Sequence, residues 1–516
     1  MKKPAIMIQG TGSHVGKSIL ACALCRILKQ DGFRVAPFKA QNMALNSYVT
    51  RDGKEMGRAQ VAQAEAAGIE PAVEMNPILL KPTGDCGSQV IIMGTPIGNM
   101  TAKEYYQKKA EFVSVVRNAY DTLKSRYDII VIEGAGSPAE INLKDGDIVN
   151  MGMAEMASAS VLLVTDIDRG GAFAWIVGTL ALLTEKEKMM IQGVVFNKFR
   201  GDKKILEPGL KMLENRINKP VVGVIPYLHN LCIDDEDSVS LEYHHAENKR
   251  SEENRILDIV VIKLPRISNF TDFSVLNHEQ DVRVRFVDRA NHIGKPDLLI
   301  IPGTKNTIGD LTFLKETNIF EKTIGLSRQN TVIIGICGGY QMLGKRIHDP
   351  YHVESPEDSI QGLGLLNTVT TFAREKRTHQ VKAHMLETNF FPCVDRQILS
   401  GYEIHMGETM LLDGRTAKPF ARITERAGER VEVLDGCVSP AGTVMGTYIH
   451  GIFDNEGFRS ILLNSLRLKK GLTPKRNTIG YKFVKEENYN ELADIVRKNL
   501  NMDMVYSVLN GVPTSV

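Results

Sequence analysis

No apolar stretch in this chain approaches the roughly 20 residues that a membrane-spanning helix needs, so a helical membrane protein is not expected. The leading "MKKPAIMIQG" holds an apolar run of only about five residues before Gln9 and Gly10, shorter than the core of a secretory signal. A surplus of one charge is missing too. Lys and Arg number 63 against 61 Asp and Glu, a formal net charge of +2, which argues against a dedicated nucleic-acid binder or a polybasic membrane-surface protein. The cysteines, 7 in all, are scattered without a paired framework, as in a reducing compartment. Cys22 and Cys25 form a CxxC, but no second pair or nearby histidine completes a metal site, and both fall in a helical stretch where packing accounts for them. Internal repeats and low-complexity runs are absent. The expectation is a soluble, cytoplasmic protein whose partners are small molecules, not nucleic acid or membrane.

At 516 residues the chain is too long for one core, and two or three domains are expected. Short apolar runs alternate with helical patterns through the first half: "AIMIQG", "RVAPFK", "DIIVIEGAG", "SVLLVTD", "GVVFNK" and "PVVGVIP". Continuous Val/Ile runs separated by amphipathic segments predict a parallel sheet covered on both faces. A second series follows with "LDIVVIKLP", "VRVRFV", "DLLIIPG" and "TVIIGIC", and "GYEIHMG" and "GTYIHGIFDN" are expected to return to that same sheet. The reading is a first domain over 1–230, a charged linker over 231–255, a second domain over 256–470 and a helical extension over 471–516.

"GTGSHVGKS", residues Gly10, Thr11, Gly12, Ser13, His14, Val15, Gly16, Lys17 and Ser18, follows the first strand and opens the first helix. Backbone amides of such a loop cradle phosphate oxygens, the lysine adds a point charge and the serine reaches Mg²⁺. The strict G-x-x-x-x-G-K-[ST] pattern fails by one place, because Thr11 stands where its first glycine belongs. Glu133 ends the strand "DIIVIE", where ligands of an open α/β sheet gather; it is either a Mg²⁺ ligand or a solvated strand end. Asn197 ends another strand, where its amide can read a nucleotide base. Asp166 and Asp168 either assist phosphate chemistry or cap the next turn.

In "TVIIGICGGYQMLG" a β-branched run leads to Cys337, and Gly338 and Gly339 permit an immediate turn into a helix. A cysteine at a strand-to-helix elbow is held out from the sheet edge, near amides that favour a thiolate. His450, after the β-like run Thr447 to Ile449, is the candidate base, and His405 stands in a second ordered context. The "IIPGTKNT" turn offers the Thr304 backbone N–H, which with that of Gly338 would meet a developing oxyanion. Together these describe an amide hydrolase.

The elbow, the "PGT" turn and "GTYIHGIF" resemble a class I glutamine amidotransferase domain of the cobalamin branch, a flavodoxin-like fold. The first half is similar to the dethiobiotin-synthetase-like, P-loop NTPase-like ATP-binding domain. Joined in this order, with "PFKAQNMALNSYVT" and "NPILLKPTGDCGSQVIIMG" between the first motifs, the two resemble the cobyric acid synthase family over almost the whole chain. The resemblance implies two open, mostly parallel-sheet α/β domains, with Cys337 as nucleophile and His450 as catalytic histidine. It implies ATP and Mg²⁺ at the first site, and glutamine and a corrinoid, adenosylcobyrinic acid a,c-diamide, as substrates. The b, d, e and g side chains would be amidated, with Gln41, Asn42 and Asn46 as candidate corrinoid contacts. Most class I enzymes carry His-x-Glu, whereas Ile452 stands in the glutamate's place here. Two other readings are the sibling that amidates the a and c side chains, and a P-loop switch ATPase carrying an inactive amidotransferase module.

Overall fold

The Val/Ile runs of the first half form six parallel strands, in the spatial order Val221–Pro226, Ile191–Phe199, Ser160–Asp166, Ala5–Gly10, Ile129–Glu133 and Val35–Phe38. The structure is a computed structural model that describes residues 4–84, 87–228, 233, 256–390, 397–414, 416–475 and 480–511. Every residue of Ala5–Gly10 and of Ile129–Glu133 is buried, as strands covered on both faces require. The register sets Ile8 beside Glu133, Gly10 beside Val164 and Asp166 beside Asn197. The motif residues at the strand ends therefore meet along one edge of the sheet, where such sheets bind ligands.

One face of this sheet packs on Val116, Tyr120, Leu123 and Ile176, and the other on Leu20, Leu24, Ile27 and Leu28 of the helix Lys17–Gln30. The second face carries a further layer: Leu492, Val496 and Val505, from the helices Tyr481–Asn499 and Met502–Leu509, share its apolar cluster. Arg497 pairs with Asp31 at 2.8 Å, and Lys485 with Glu65 at 2.5 Å. The helical extension is thus part of the first domain's core. The linker assigned to 231–255 lies outside the described residues apart from Ile233.

The second domain has its own six-stranded sheet, ordered Val282–Val287, Leu257–Ile262, Leu298–Ile301, Val332–Ile336, Val444–Thr447 and Cys437–Val438, antiparallel only in its last pair. The "GTYIHG" stretch returns to this sheet as expected, through Val444–Thr447. "GYEIHMG" does not. It lies in Ile398–Leu411, which runs antiparallel to the long strand Thr368–Met385 in a separate sheet. Buried and exposed residues mix along both strands, the mark of a sheet with one wet face. Two smaller elements complete the first half: the four-stranded sheet of Gln41–Met43, Ile78–Pro82, Gly87–Ile92 and Thr95–Thr101, and the hairpin Ser47–Val49 with Glu55–Gly57.

Candidate active sites

The strand Ala5–Gly10 runs directly into the loop and the helix Lys17–Gln30, so the loop amides open onto the sheet edge. Gly16 takes φ 95°, and a Cβ there would lie 2.1 Å from Asn197 Nδ2, so both the turn and the close approach require glycine. Thr11 turns its hydroxyl onto Thr165 Oγ1 at 3.1 Å, on the neighbouring strand, which accommodates the displaced motif. Lys17 Nζ ties the loop to the loop beyond Glu133, donating to the carbonyls of Gly12 at 2.9 Å and Gly136 at 3.0 Å.

Glu133 is 1% exposed and so is no solvated strand end. Its carboxylate accepts Ser18 Oγ at 2.8 Å, Lys39 Nζ at 2.9 Å and Gln63 Nε2 at 2.6 Å. Burial alone would push this carboxyl up. The Lys39 charge and the hydrogen bonds from Lys39, Gln63 and Ser18 outweigh burial and hold it below its ordinary value. No group of three His, Cys, Asp or Glu that could hold a metal occurs among the described residues. Ser18 Oγ and Glu133 are oxygen donors of the kind Mg²⁺ takes, though a cation there would have to displace the Lys39 ammonium that Glu133 Oε1 now accepts.

A cleft of about 910 Å³ opens from this edge, lined by the loop, Lys39, Gln41, Asn42, Tyr105 and Tyr106 among others, within the size range of ligand pockets. Tyr105 OH donates to Gln41 Oε1 at 2.5 Å, and Asn42 Nδ2 to Gln60 Oε1 at 3.0 Å. Asn46 does not line the cleft; its side chain faces the second domain, where Oδ1 accepts the Phe270 N–H at 3.2 Å. Asn197 is buried and donates its amide to the Val15 carbonyl at 2.9 Å, which steadies the phosphate loop. Asp166 pairs with Lys198 at 2.8 Å and caps its own turn through the Asp168 N–H at 2.9 Å. Cys22 and Cys25 are buried in the first helix, and burial pushes the Cys25 thiol up, as for a packed residue.

At the second site Cys337 ends the strand Val332–Ile336 with φ 51° and ψ −108°, a conformation that costs a side-chain-bearing residue on the order of 1–3 kcal/mol. The helix Gly338–Leu343 starts immediately beyond. Gly339 permits this, since a Cβ there would lie 2.0 Å from the Ile301 carbonyl oxygen. The Pro302–Thr304 turn abuts the elbow: a Cβ on Gly338 would sit 3.3 Å from the Thr304 amide nitrogen. Thr304 and Cys337 border one recess of about 40 Å³, and Gly338 abuts the Thr304 turn beside it. Charged groups line it as well: Lys81, Lys305, Glu354 and Lys376.

His450 comes to Cys337 through sheet register. Ile336 pairs with Thr447, and the Cys337 N–H donates to the Thr447 carbonyl at 2.9 Å. The imidazole is 1% exposed, and its Nδ1 lies 2.7 Å from Asp272 Oδ2. Burial disfavours the imidazolium, but the Asp272 charge and hydrogen bond, helped by Cys337, win and push His450 up to about 10. Nε2 has no hydrogen bond to a described residue, which leaves it for a reacting group. Asp272, from the segment Phe270–His278, is thus the carboxylate that meets His450, with isoleucine at position 452. His405 is different. It stacks on Tyr448 at 3.7 Å, its Nδ1 lies 3.1 Å from the Gly407 carbonyl oxygen, and burial lowers its pKa despite Glu403. Burial disfavours its charged form, and the ring lines the Cys337 recess.

Asp272 and Lys39 were not singled out from the sequence. Asp272 lies in "SNFTDF", which has neither helical nor strand periodicity. Lys39 follows the buried strand Val35–Phe38, the same strand-end signal that marks Glu133. If Asp272 orients His450, then Asp272→Asn removes the charge that raises the imidazole, and its pKa falls. The alkaline limb of glutamine hydrolysis should move down by about one unit or more, and the maximal rate should drop on the order of ten-thousandfold. A pH–rate profile of hydrolysis alone measures both.

Residues 6–241 match the CobQ/CobB/MinD/ParA nucleotide binding domain, and residues 258–458 match the CobB/CobQ-like glutamine amidotransferase domain. Whole-chain relatives include the cobyric acid synthase of Alkaliphilus metalliredigens, 54% identical over 98% of this chain and 100% of that protein. Those of Clostridium tetani, at 53% over 98% and 99%, and Caldanaerobacter subterraneus, at 51% over 98% of each, are similar over the same span.

Proposed function

Because this chain belongs to the cobyric acid synthase family, we propose that its two sites together amidate the b, d, e and g carboxylates of adenosylcobyrinic acid a,c-diamide. The protein is an ATP- and glutamine-dependent amide-forming ligase of cobalamin biosynthesis. The observation that carries the reading is the line Cys337–His450–Asp272 in one domain beside a phosphate loop with a buried carboxylate in the other. No helix of the described residues is long and apolar enough to cross a membrane, and we place the protein in the cytoplasm.

A carboxylate resists nucleophiles because charge and resonance both oppose attack, so it must first be activated. A corrinoid carboxylate oxygen takes the γ-phosphoryl group of ATP, with ADP leaving, to give an acyl phosphate. Lys17 and the loop amides stabilise the charge that moves during transfer. Ser18 and Glu133 would hold Mg²⁺, and Gln41 and Asn42 on the cleft wall would meet the corrinoid. Asn197 serves the site by holding Val15.

In the other domain Cys337 Sγ, its proton passed to His450 Nε2, bonds to the carboxamide carbon of glutamine. The carbon–nitrogen bond breaks, and His450 Nε2 gives its proton to the leaving nitrogen. The Thr304 and Gly338 amides carry the transient oxyanion. Water then cleaves the thioester to release glutamate, and ammonia attacks the acyl phosphate, expelling phosphate. Lys305 and Glu354 line the same recess, where burial raises the Glu354 carboxyl to about 7. Mass spectrometry of the products tests the whole reading. The purified enzyme with the a,c-diamide, ATP and glutamine should yield the corrinoid amidated at b, d, e and g. Conversion only of the unamidated acid, at a and c, would assign it instead to the sibling activity.

A further inference from the structure

Cys337, His450 and Asp272 all belong to the second domain, yet their supports reach in from the first. Asn269 is the pivot of the segment that carries Asp272: it sits at φ 54°, and its carbonyl accepts the Asp272 N–H at 3.0 Å. Against it lies Asn46–Ser47. Asn46 Oδ1 accepts the Phe270 N–H at 3.2 Å, and the Ser47 N–H donates to Asn269 Oδ1 at 3.0 Å. These two bonds form a reciprocal clasp across the domain boundary, and Asn46, Ser47 and Asn269 are each only 1% exposed.

The same short stretch touches the other side of the histidine. The Ser47 carbonyl accepts Tyr402 OH at 3.3 Å, and the Tyr402 ring stacks on His450 at 5.2 Å between centroids with planes 15° apart. The main chains of these two residues also pair, His450 N–H to the Tyr402 carbonyl at 2.9 Å. One turn of the hairpin away, the fully buried Glu55 holds Lys81 at 2.8 Å and Lys376 at 2.6 Å, and both lysines line the Cys337 recess.

We propose that Asn46 and Ser47 are positioning residues of the glutaminase, holding Asp272 and Tyr402 on either side of His450 so that glutamine hydrolysis depends on the docked first domain. The inference rests on the reading of Cys337 and His450 as a glutaminase. It gives Asn46 a role away from the corrinoid. A reacting group displaced by about an ångström can lose on the order of a hundredfold in rate, and the clasp holds Asn269 and Phe270, the residues from which the Asp272 turn is hung.

The test uses the full chain and three measurements: glutamine hydrolysis without corrinoid, amide synthesis from ammonium salts, and the pH dependence of iodoacetamide alkylation at Cys337. In Asn46→Ala the kcat for hydrolysis should fall on the order of a hundredfold with KM little changed. Its alkylation profile should shift toward that of Asp272→Asn, while ammonia-driven synthesis continues at the wild-type rate. Asn269→Gly is the second variant; it tolerates the positive φ but deletes the acceptor of the Ser47 N–H, and the same split is expected. Wild-type hydrolysis and alkylation profiles in both variants would overturn the proposal. So would loss of ammonia-driven synthesis in both, which would make the clasp a folding element or a corrinoid contact. A wild-type protein that hydrolyses no glutamine would instead remove the glutaminase reading, an outcome the unmutated control reveals by itself.

Discussion

Cys337→Ala is expected to make no amide from glutamine and to go on making it from ammonia. Without the sulfur no thioester forms, so no nitrogen is released. The ATP site is built on a different sheet, with Ser18, Lys17 and Glu133 held by contacts that do not involve the elbow, and its chemistry should continue. Raising the pH of an ammonium solution supplies free ammonia, which can attack the acyl phosphate directly. His450→Ala should show the same split, because it removes the proton donor for the leaving nitrogen and leaves the synthetase intact. A cysteine that merely packs would behave otherwise, with a stability loss of roughly 1–3 kcal/mol and both nitrogen sources affected alike. Steady-state synthesis with each nitrogen source decides. Retained glutamine-dependent synthesis in Cys337→Ala would end the amidotransferase assignment and favour a switch ATPase with an inactive second module.

The second large effect lies at the other end of the reaction. Lys17→Ala should stop synthesis from both nitrogen sources, by a factor on the order of 10³ or more, because a positive charge on the transferring phosphoryl group is lost. Two carbonyls, Gly12 and Gly136, also lose the donor that links them, so the phosphate loop should loosen as well. Glutamine hydrolysis measured alone should persist, since the Cys337 line is untouched. Equilibrium binding of a nonhydrolysable ATP analogue separates lost affinity from lost chemistry. Normal synthesis by this variant would refute the ATP-site assignment.

The two halves differ in how openly the sequence displays them. Parallel strands announce themselves as unbroken Val/Ile runs, and the groups at their carboxyl ends, Lys17, Glu133 and Cys337, follow once the runs are placed. The long antiparallel strands Thr368–Met385 and Ile398–Leu411 are harder to read. Their apolar residues are interrupted by charges, and "GYEIHMG" taken alone does not say which sheet it joins. Asp272 was hidden for another reason. It stands 178 positions from His450 in sequence, and nothing in local spacing announces a partner at that distance. Asn46 shows a third limit: a polar residue in an unusual segment looks like a ligand contact, and only the packed domains show that its side-chain oxygen accepts the Phe270 N–H.

The return of the last helices to the first domain bears on the order in which the protein can fold as it is made. Strands Ala5–Gly10 and Ile129–Glu133 leave the ribosome early, but one face of their sheet stays partly uncovered until Leu492, Val496 and Val505 arrive. Between the two comes the whole amidotransferase domain, whose apolar cluster is drawn from Leu257 to Tyr481 and is nearly all present by the time that final cover emerges. Domains usually mature from the amino terminus onward during synthesis. Here the second domain is placed to finish first, and the nucleotide-binding domain is completed last. An early stop in translation would therefore release a chain with a formed glutaminase fold and an exposed apolar face on its unfinished neighbour, a form that quality control can recognise.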